Sequence, residues 1–170
     1  MGITYTDKKK FTKERTRQLF RSVGWVSGKY PERLHKALMG SSTVFSAWDG
    51  DRLVGLVRVL DDTEMVAYMH YVLVDPEYQG YGIAGHLVVM VKEKYCDYLY
   101  IEVMPEESKN ATFYQKHGFL NHGRRRGHAD PQSGRTPLKQ ATCRRLPESR
   151  LSRIVFRDSY SASCPASDFS

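Results

Sequence analysis

The chain has 170 residues and a mass of 19.6 kDa, which suits one domain around one core and leaves no room for two ordinary ones. Hydrophobic residues make up 41% and charged residues 26%, and no apolar run reaches the roughly 18 residues of a membrane span, so disordered and membrane-spanning classes are excluded. The net charge of +7 is unevenly placed: residues 1–122 hold 16 Lys and Arg against 15 Asp and Glu, and residues 123–170 hold 10 against 4.

In chain order, Ile3–Tyr5 reads as a first short strand. Thr12 is a candidate N-cap for a helix that buries Leu19, Phe20 and Val23 and ends near Gly24. Pro31 opens a second helix, with Leu34, Ala37 and Leu38 at helical spacing and Gly40 as its terminator. Thr43–Trp48 and Leu53–Leu60 form a hairpin through Asp49-Gly50-Asp51, and Asp61-Asp62-Thr63 turns into a long strand, Met65–Val74. A helix over Ile83–Tyr95, a strand over Leu99–Val103 and a helix over Ser108–His117, closed by Gly118, follow. The order β-α-α-β-β-β-α-β-α predicts an α/β fold whose mixed, mainly antiparallel sheet is flanked by helices.

The segment between strand and helix, Gln79-Gly-Tyr-Gly-Ile-Ala-Gly85, carries most of the chemistry. A strand, a glycine turn and a helix start gather backbone N–H groups and the positive end of a helix dipole at one point, the means of holding a phosphate. No P-loop is present, since Gly-Lys-Ser/Thr is missing. Glycine content alone leaves two readings open, a phosphate cradle and a plain tight turn.

The residues around this turn carry a resemblance. Val72-Leu-Val-Asp-Pro-Glu-Tyr-Gln-Gly-Tyr-Gly-Ile-Ala84 resembles the signature of the GNAT superfamily of N-acetyltransferases, whose acetyl-CoA motif Gln/Arg-x-x-Gly-x-Gly/Ala is matched by Gln79, Gly82 and Ala84. A second element, Tyr114-Gln-Lys-His-Gly-Phe119, is similar to the family's Tyr-x-Lys-x-Gly-Phe, and Leu19–Trp25 resembles the first helix of a small bacterial subgroup. The resemblance covers roughly residues 3–122 and implies the GNAT fold, cytoplasmic location and acetyl transfer from acetyl-CoA, as co-substrate, to a primary amine of a small molecule or peptide, with no metal. An acyl-CoA-binding or partner-binding module that has lost catalysis is the alternative.

By the same resemblance, the backbone of Gln79, Gly80, Tyr81, Gly82, Ile83, Ala84 and Gly85 would bind the CoA pyrophosphate, and the main chain of Leu73 and Val74 would pair with the pantetheine arm. Tyr114 would act as general acid for the CoA thiolate; its plain alternative is a packed aromatic beside Phe113. His70 is a candidate general base, since histidine suits neutral pH and strand alternation puts it on the face of Val74 with Tyr68. Glu102 on the neighbouring strand is a rival, and a water chain is used by many family members. Asn110 is not assigned a role.

After His122 the pattern changes: residues 123–170 are rich in Arg and Ser, and only Leu151–Phe156 looks like a strand. Family members continue with two strands, often reading Met-Gln-Ile, where this chain has Gly127-His-Ala-Asp-Pro-Gln132. Read one base later, those codons permit Ala-Met-Gln-Ile-Arg-Asn, which predicts a frameshift near residues 120–126. The rival is a genuine Arg-rich extension; its few aromatics (Phe156, Tyr160, Phe169) count against a nucleic-acid partner. The odd cysteine count and the absence of an apolar leader argue for a reducing, cytoplasmic setting and against a membrane partner. Without its last strands the sheet would expose an edge and favour a homodimer.

Overall fold

The computed structural model describes residues 2–105, 110–121 and 152–154. Seven strands, β1 (Ile3–Thr6), β2 (Thr43–Asp49), β3 (Arg52–Asp61), β4 (Val66–Val74), β5 (Tyr100–Val103), β6 (Phe119–Asn121) and β7 (Ser152–Ile154), lie in the order β1-β2-β3-β4-β5-β7-β6. Each of β1 to β4 runs antiparallel to its neighbour in that set; β5 runs parallel to β4, and β7 runs parallel to both β5 and β6. Two helices, α1 (Lys13–Ser22) and α2 (Pro31–Met39), cover one face, and α3 (Ile83–Lys94) and α4 (Ala111–Lys116) cover the other.

Local chemistry explains the elements. The Thr12 hydroxyl accepts the Arg15 N–H at 3.3 Å at the start of α1, with Glu14 in the first turn. Pro31 occupies the first turn of α2, where its missing N–H costs nothing, and Gly40 ends the helix. α1 buries Thr16, Leu19 and Phe20, and α2 buries Leu34 and Leu38. These join Val44, Leu53, Leu56 and Leu73 in one cluster, while Leu87, Val88 and Val91 of α3 meet Val57, Val59, Ala67 and Met69 in the other. The sheet is buried on both sides, so its strands read as near-continuous apolar runs.

The sheet departs from simple alternation on β4. Val59 opposes Met69 and Arg58 opposes Tyr71, so His70 is the extra residue of a bulge. Ala67 and Met69 face α3, as do Val72 and Val74, whereas Tyr71 and Leu73 face α1. The strand beyond the bulge has changed parity. The alternation that put His70 on Val74's face therefore fails, although Tyr68 and His70 do lie side by side, with ring centroids 6.0 Å apart.

Two further elements depart from expectation. β6 at Phe119–Asn121 has no periodicity of its own length to reveal it. β7 fills the gap between β5 and β6 with residues from the one strand-like stretch of the tail, so the edge expected to stand open on β5 is occupied. The remaining tail, including Gly127–Gln132 and the frameshift reading, lies outside the described residues.

The β3–β4 turn is held by one carboxylate. Asp62 Oδ1 accepts the N–H groups of Glu64, Met65 and Val66 at 3.0, 2.7 and 2.9 Å, around Thr63 at φ +70°. These bonds favour the charged form and hold the Asp62 carboxyl below its ordinary 3.8. Its contribution to stability is full above that ordinary value and is lost as pH falls through the depressed folded value. Asp62→Ala is therefore expected to lower the melting temperature at neutral pH, and the gap to the unmodified chain to close in thermal melts taken below pH 3.8.

Candidate active site

β4 and β5 pair over four positions only, Val66↔Tyr100 to Met69↔Val103. Beyond Met69 they part, and among the described residues the β4 edge away from β3 has no strand partner through Val74. A cleft of about 490 Å³ opens there, within the size range of small-molecule sites. Val72, Leu73 and Val74 form its floor, Ser22, Val23 and Trp25 one wall, and Phe113 and Tyr114 the other, with Asn110, Pro76, Gln79 and Ala84 at its rim.

The turn into α3 borders this cleft. Gly80 and Gly82 hold φ of +86° and +77°, values that a side chain resists, and a Cβ at either would meet only open space. Among the described residues no side chain caps α3 and no acidic residue sits in its first turn, which leaves its amides and dipole available to a ligand. Ile83 points into the core at 2% exposure and Tyr81 lies at the surface, so the backbone at both is what the turn offers a ligand. Gln79 donates from Nε2 to the Val74 carbonyl at 3.2 Å, tying the turn to the strand end.

Gly85 has a different reason to be glycine. A Cβ there would lie 3.0 Å from His117 Nε2, which is buried without a partner among the described residues. The His117 ring packs edge-on to Phe113 at 4.6 Å, and Lys92 donates to the His117 carbonyl at 2.8 Å, so α4 is pressed against the start of α3. Burial, then the Lys92 charge, pushes the imidazole below its ordinary pKa.

The platform behind the turn is an ion cluster. Arg52 donates to Asp75 Oδ2 at 3.0 Å and to Glu77 Oε2 at 2.7 Å and lies over the Tyr78 ring. Hydrogen bonds to these two carboxylates raise the Arg52 pKa. Tyr78 in turn donates to Asp49 at 2.9 Å.

Tyr114 is 7% exposed, packed beside Phe113 and Phe119, and lines the cleft. Burial drives its phenol well above the ordinary value, so it holds its proton throughout the neutral range. His70 is not part of the cleft lining. Arg58 Nη1 lies 3.0 Å from His70 Nδ1, and a guanidinium only donates, so Nδ1 is the acceptor and the ring proton sits on Nε2. Burial, then the Arg58 charge, lowers the His70 pKa. With its lone pair engaged, His70 in this arrangement offers a donor rather than a base. Glu102 pairs in register with Tyr68 on the strand beside it.

Of the sequence-derived residues, Leu73, Val74, Gln79, Ala84 and Tyr114 meet at the cleft, and Gly80, Tyr81, Gly82, Ile83 and Gly85 form the turn beside it. Ser22, Val23 and Trp25 also line the cleft, although the resemblance of Leu19–Trp25 to the first helix of a bacterial subgroup assigns them no site role.

A mixed sheet parted between two parallel central strands, with an uncapped helix start beside the gap, defines the class of GNAT acetyltransferases. The family model for the acetyltransferase (GNAT) domain matches residues 11–129, and the chain belongs to this family. An uncharacterised ycf52-like N-acetyltransferase of Prochlorococcus marinus is 32% identical over 110 residues, 60% of this chain and 59% of that protein; the chain thus spans less than two thirds of this relative's length. A GNAT-family acetyltransferase of Streptococcus pneumoniae superimposes with a TM-score of 0.64 at 26% identity, covering 79% of this chain and 100% of that one. A Staphylococcus aureus protein of unknown function shares the fold, with a TM-score of 0.62 at 22% identity, covering 82% and 100%.

The contact between Gly85 and His117 yields a test. Gly85→Ala is expected to lower the melting temperature, and the loss to shrink when His117→Ala is added, because the crowding partner is then gone. Equal losses in both backgrounds would show that the ring does not set the requirement.

Proposed function

We propose that this acetyltransferase moves the acetyl group of acetyl-CoA to a primary amine by direct attack. The observation that carries the reading is the cleft itself: an unpaired strand edge, an uncapped helix start and a buried protonated tyrosine converge on one gap. The amides of Gln79–Gly85 and the α3 dipole would hold the pyrophosphate, and the free edge of β4 at Leu73 and Val74 would take the pantetheine as an added strand. The Gln79 side chain already occupies the Val74 carbonyl and would yield it or share it.

In the transfer step a neutral amine attacks the thioester carbonyl, the new C–N bond forms, the C–S bond breaks and the thiolate takes the Tyr114 proton. The amine's surplus proton leaves through water, since the His70 lone pair is engaged by Arg58. The Prochlorococcus relative, described as an N-acetyltransferase, supports nitrogen as the acceptor atom.

Isothermal titration with acetyl-CoA and thiol release over an amine panel test this reading. Binding without turnover favours a binding module, and no binding sinks both. Tyr114→Phe is expected to lower kcat roughly 10²-fold with acetyl-CoA affinity unchanged. A general acid works only while protonated, so raising its pKa moves the alkaline loss of activity upward; the Tyr114 limb should lie above pH 10.0. A limb that survives in Tyr114→Phe would belong to another group.

A further inference from the structure

We infer that the amine acceptor carries an anionic group, a carboxylate or a phosphate, and that Arg58 binds it beside His70 on the α1–α2 face of the sheet. The inference rests on the acetyltransferase reading and names the acceptor class for it.

Arg58 projects from the middle of β3, between Val57 and Val59, both fully buried. Its guanidinium is half-buried, and its partners among the described residues are neutral. Nε donates to Ser41 Oγ at 2.7 Å, Nη1 to His70 Nδ1 at 3.0 Å, and the charge lies 5.7 Å from the Tyr71 ring centre. No carboxylate among the described residues pairs with it, whereas Lys13, Arg15 and Arg52 all have acidic partners. A second cation lies close by without relief: Lys9 Nζ donates to the carbonyls of Met39 and Ser41. Withdrawing a cation from water without a counter-charge is costly, and burial pushes the Arg58 pKa down accordingly.

Five N–H groups belong to a guanidinium, and two are used here. Arg58 is only partly buried, so it keeps a solvent-open surface. Such a planar fork at a surface opening matches a carboxylate or a phosphate in two-point fashion. An incoming anion would supply the missing charge.

The location fits an acceptor. Met69 is the last β4 residue paired with β5, so His70 stands where the two strands part. The guanidinium is one imidazole away from that vertex, where a thioester laid along β4 would end. Aromatic rings join the two places: Trp25 lines the cleft and lies 5.0 Å from Tyr71, which lies 4.0 Å from His70. An acceptor anchored at Arg58 would thus approach from the face opposite α3.

The test pairs each anionic acceptor with its neutral counterpart: β-alanine with propylamine, phenylalanine with phenethylamine, and O-phosphoethanolamine with ethanolamine. Thiol release with acetyl-CoA and titration against the CoA-loaded full chain are measured for each. At least one anionic member should win by on the order of 10²-fold in kcat/KM, the carboxylate and phosphate arms telling the two sources apart. Arg58→Gln should abolish the preference by raising KM, with kcat and acetyl-CoA affinity held within about threefold; Arg58→Lys should restore part of it. Equal or better use of the neutral amines in every pair, or a preference that survives Arg58→Gln in folded protein, overturns the inference. Arg58-dependent anion binding without thiol release would uphold the anion site and defeat the acetyltransferase reading instead. Absence of any binding defeats the anion site.

Discussion

One extra residue on β4 organises the molecule. β4 keeps its antiparallel ladder with β3 along its whole length but pairs with β5 over only four residues. A bulge at His70 bends the strand and inverts which side chains face which layer. Val72 and Val74 then pack under α3, Tyr71 and Leu73 under α1, and β5 can part from β4 without leaving apolar side chains stranded. The cleft, its aromatic wall and the separation of His70 from Val74 all follow from that shift in parity.

Electrostatics is divided between the two ends of the strand. At the Val74 end, Asp75 and Glu77 share Arg52, Asp49 accepts the Tyr78 hydroxyl, and the first turn of α3 contains no acidic residue. The helix start keeps its positive potential for a ligand. At the bulge the reverse holds, since Arg58 and Lys9 lie among neutral groups. Rigid packing surrounds both places. Tyr95, for instance, bonds Asp61 at 2.7 Å and Thr43 at 2.8 Å, locking the end of α3 to the sheet.

What could be read from sequence follows the range of the interactions involved. Thr12, Pro31, Gly40 and the Asp61–Thr63 turn act within a few residues, so the helices α1 and α2 and the first hairpins fall within two residues of their expected bounds. The glycine turn was legible because its conformation is local, and Gly82 does hold a positive φ. The bulge was not legible: it depends on register with β3, and strict alternation then misplaces His70. The Gly85–His117 contact joins two helices, so the crowding at Gly85 is not legible in the local turn. β6 and β7 are three residues each and draw their order from neighbours rather than from their own pattern.

Net charge gives two different readings depending on where it is counted. Most of the +7 lies in residues 123–170, while the body up to residue 122 carries one net charge spread over 31 ionised groups. A near-neutral total suggests a body indifferent to charged ligands, yet neutrality is a sum and binding is local. Arg52 is cancelled by two carboxylates, whereas Arg58, six residues along the same strand, is cancelled by none among the described residues. Arg52 lies exposed at the start of the strand and Arg58 is partly buried in its middle, so the two differ in position as well as in partners. The first helps to hold the fold; the second retains its charge beside the place where the sheet parts, which is where the proposed acceptor would meet the acetyl group.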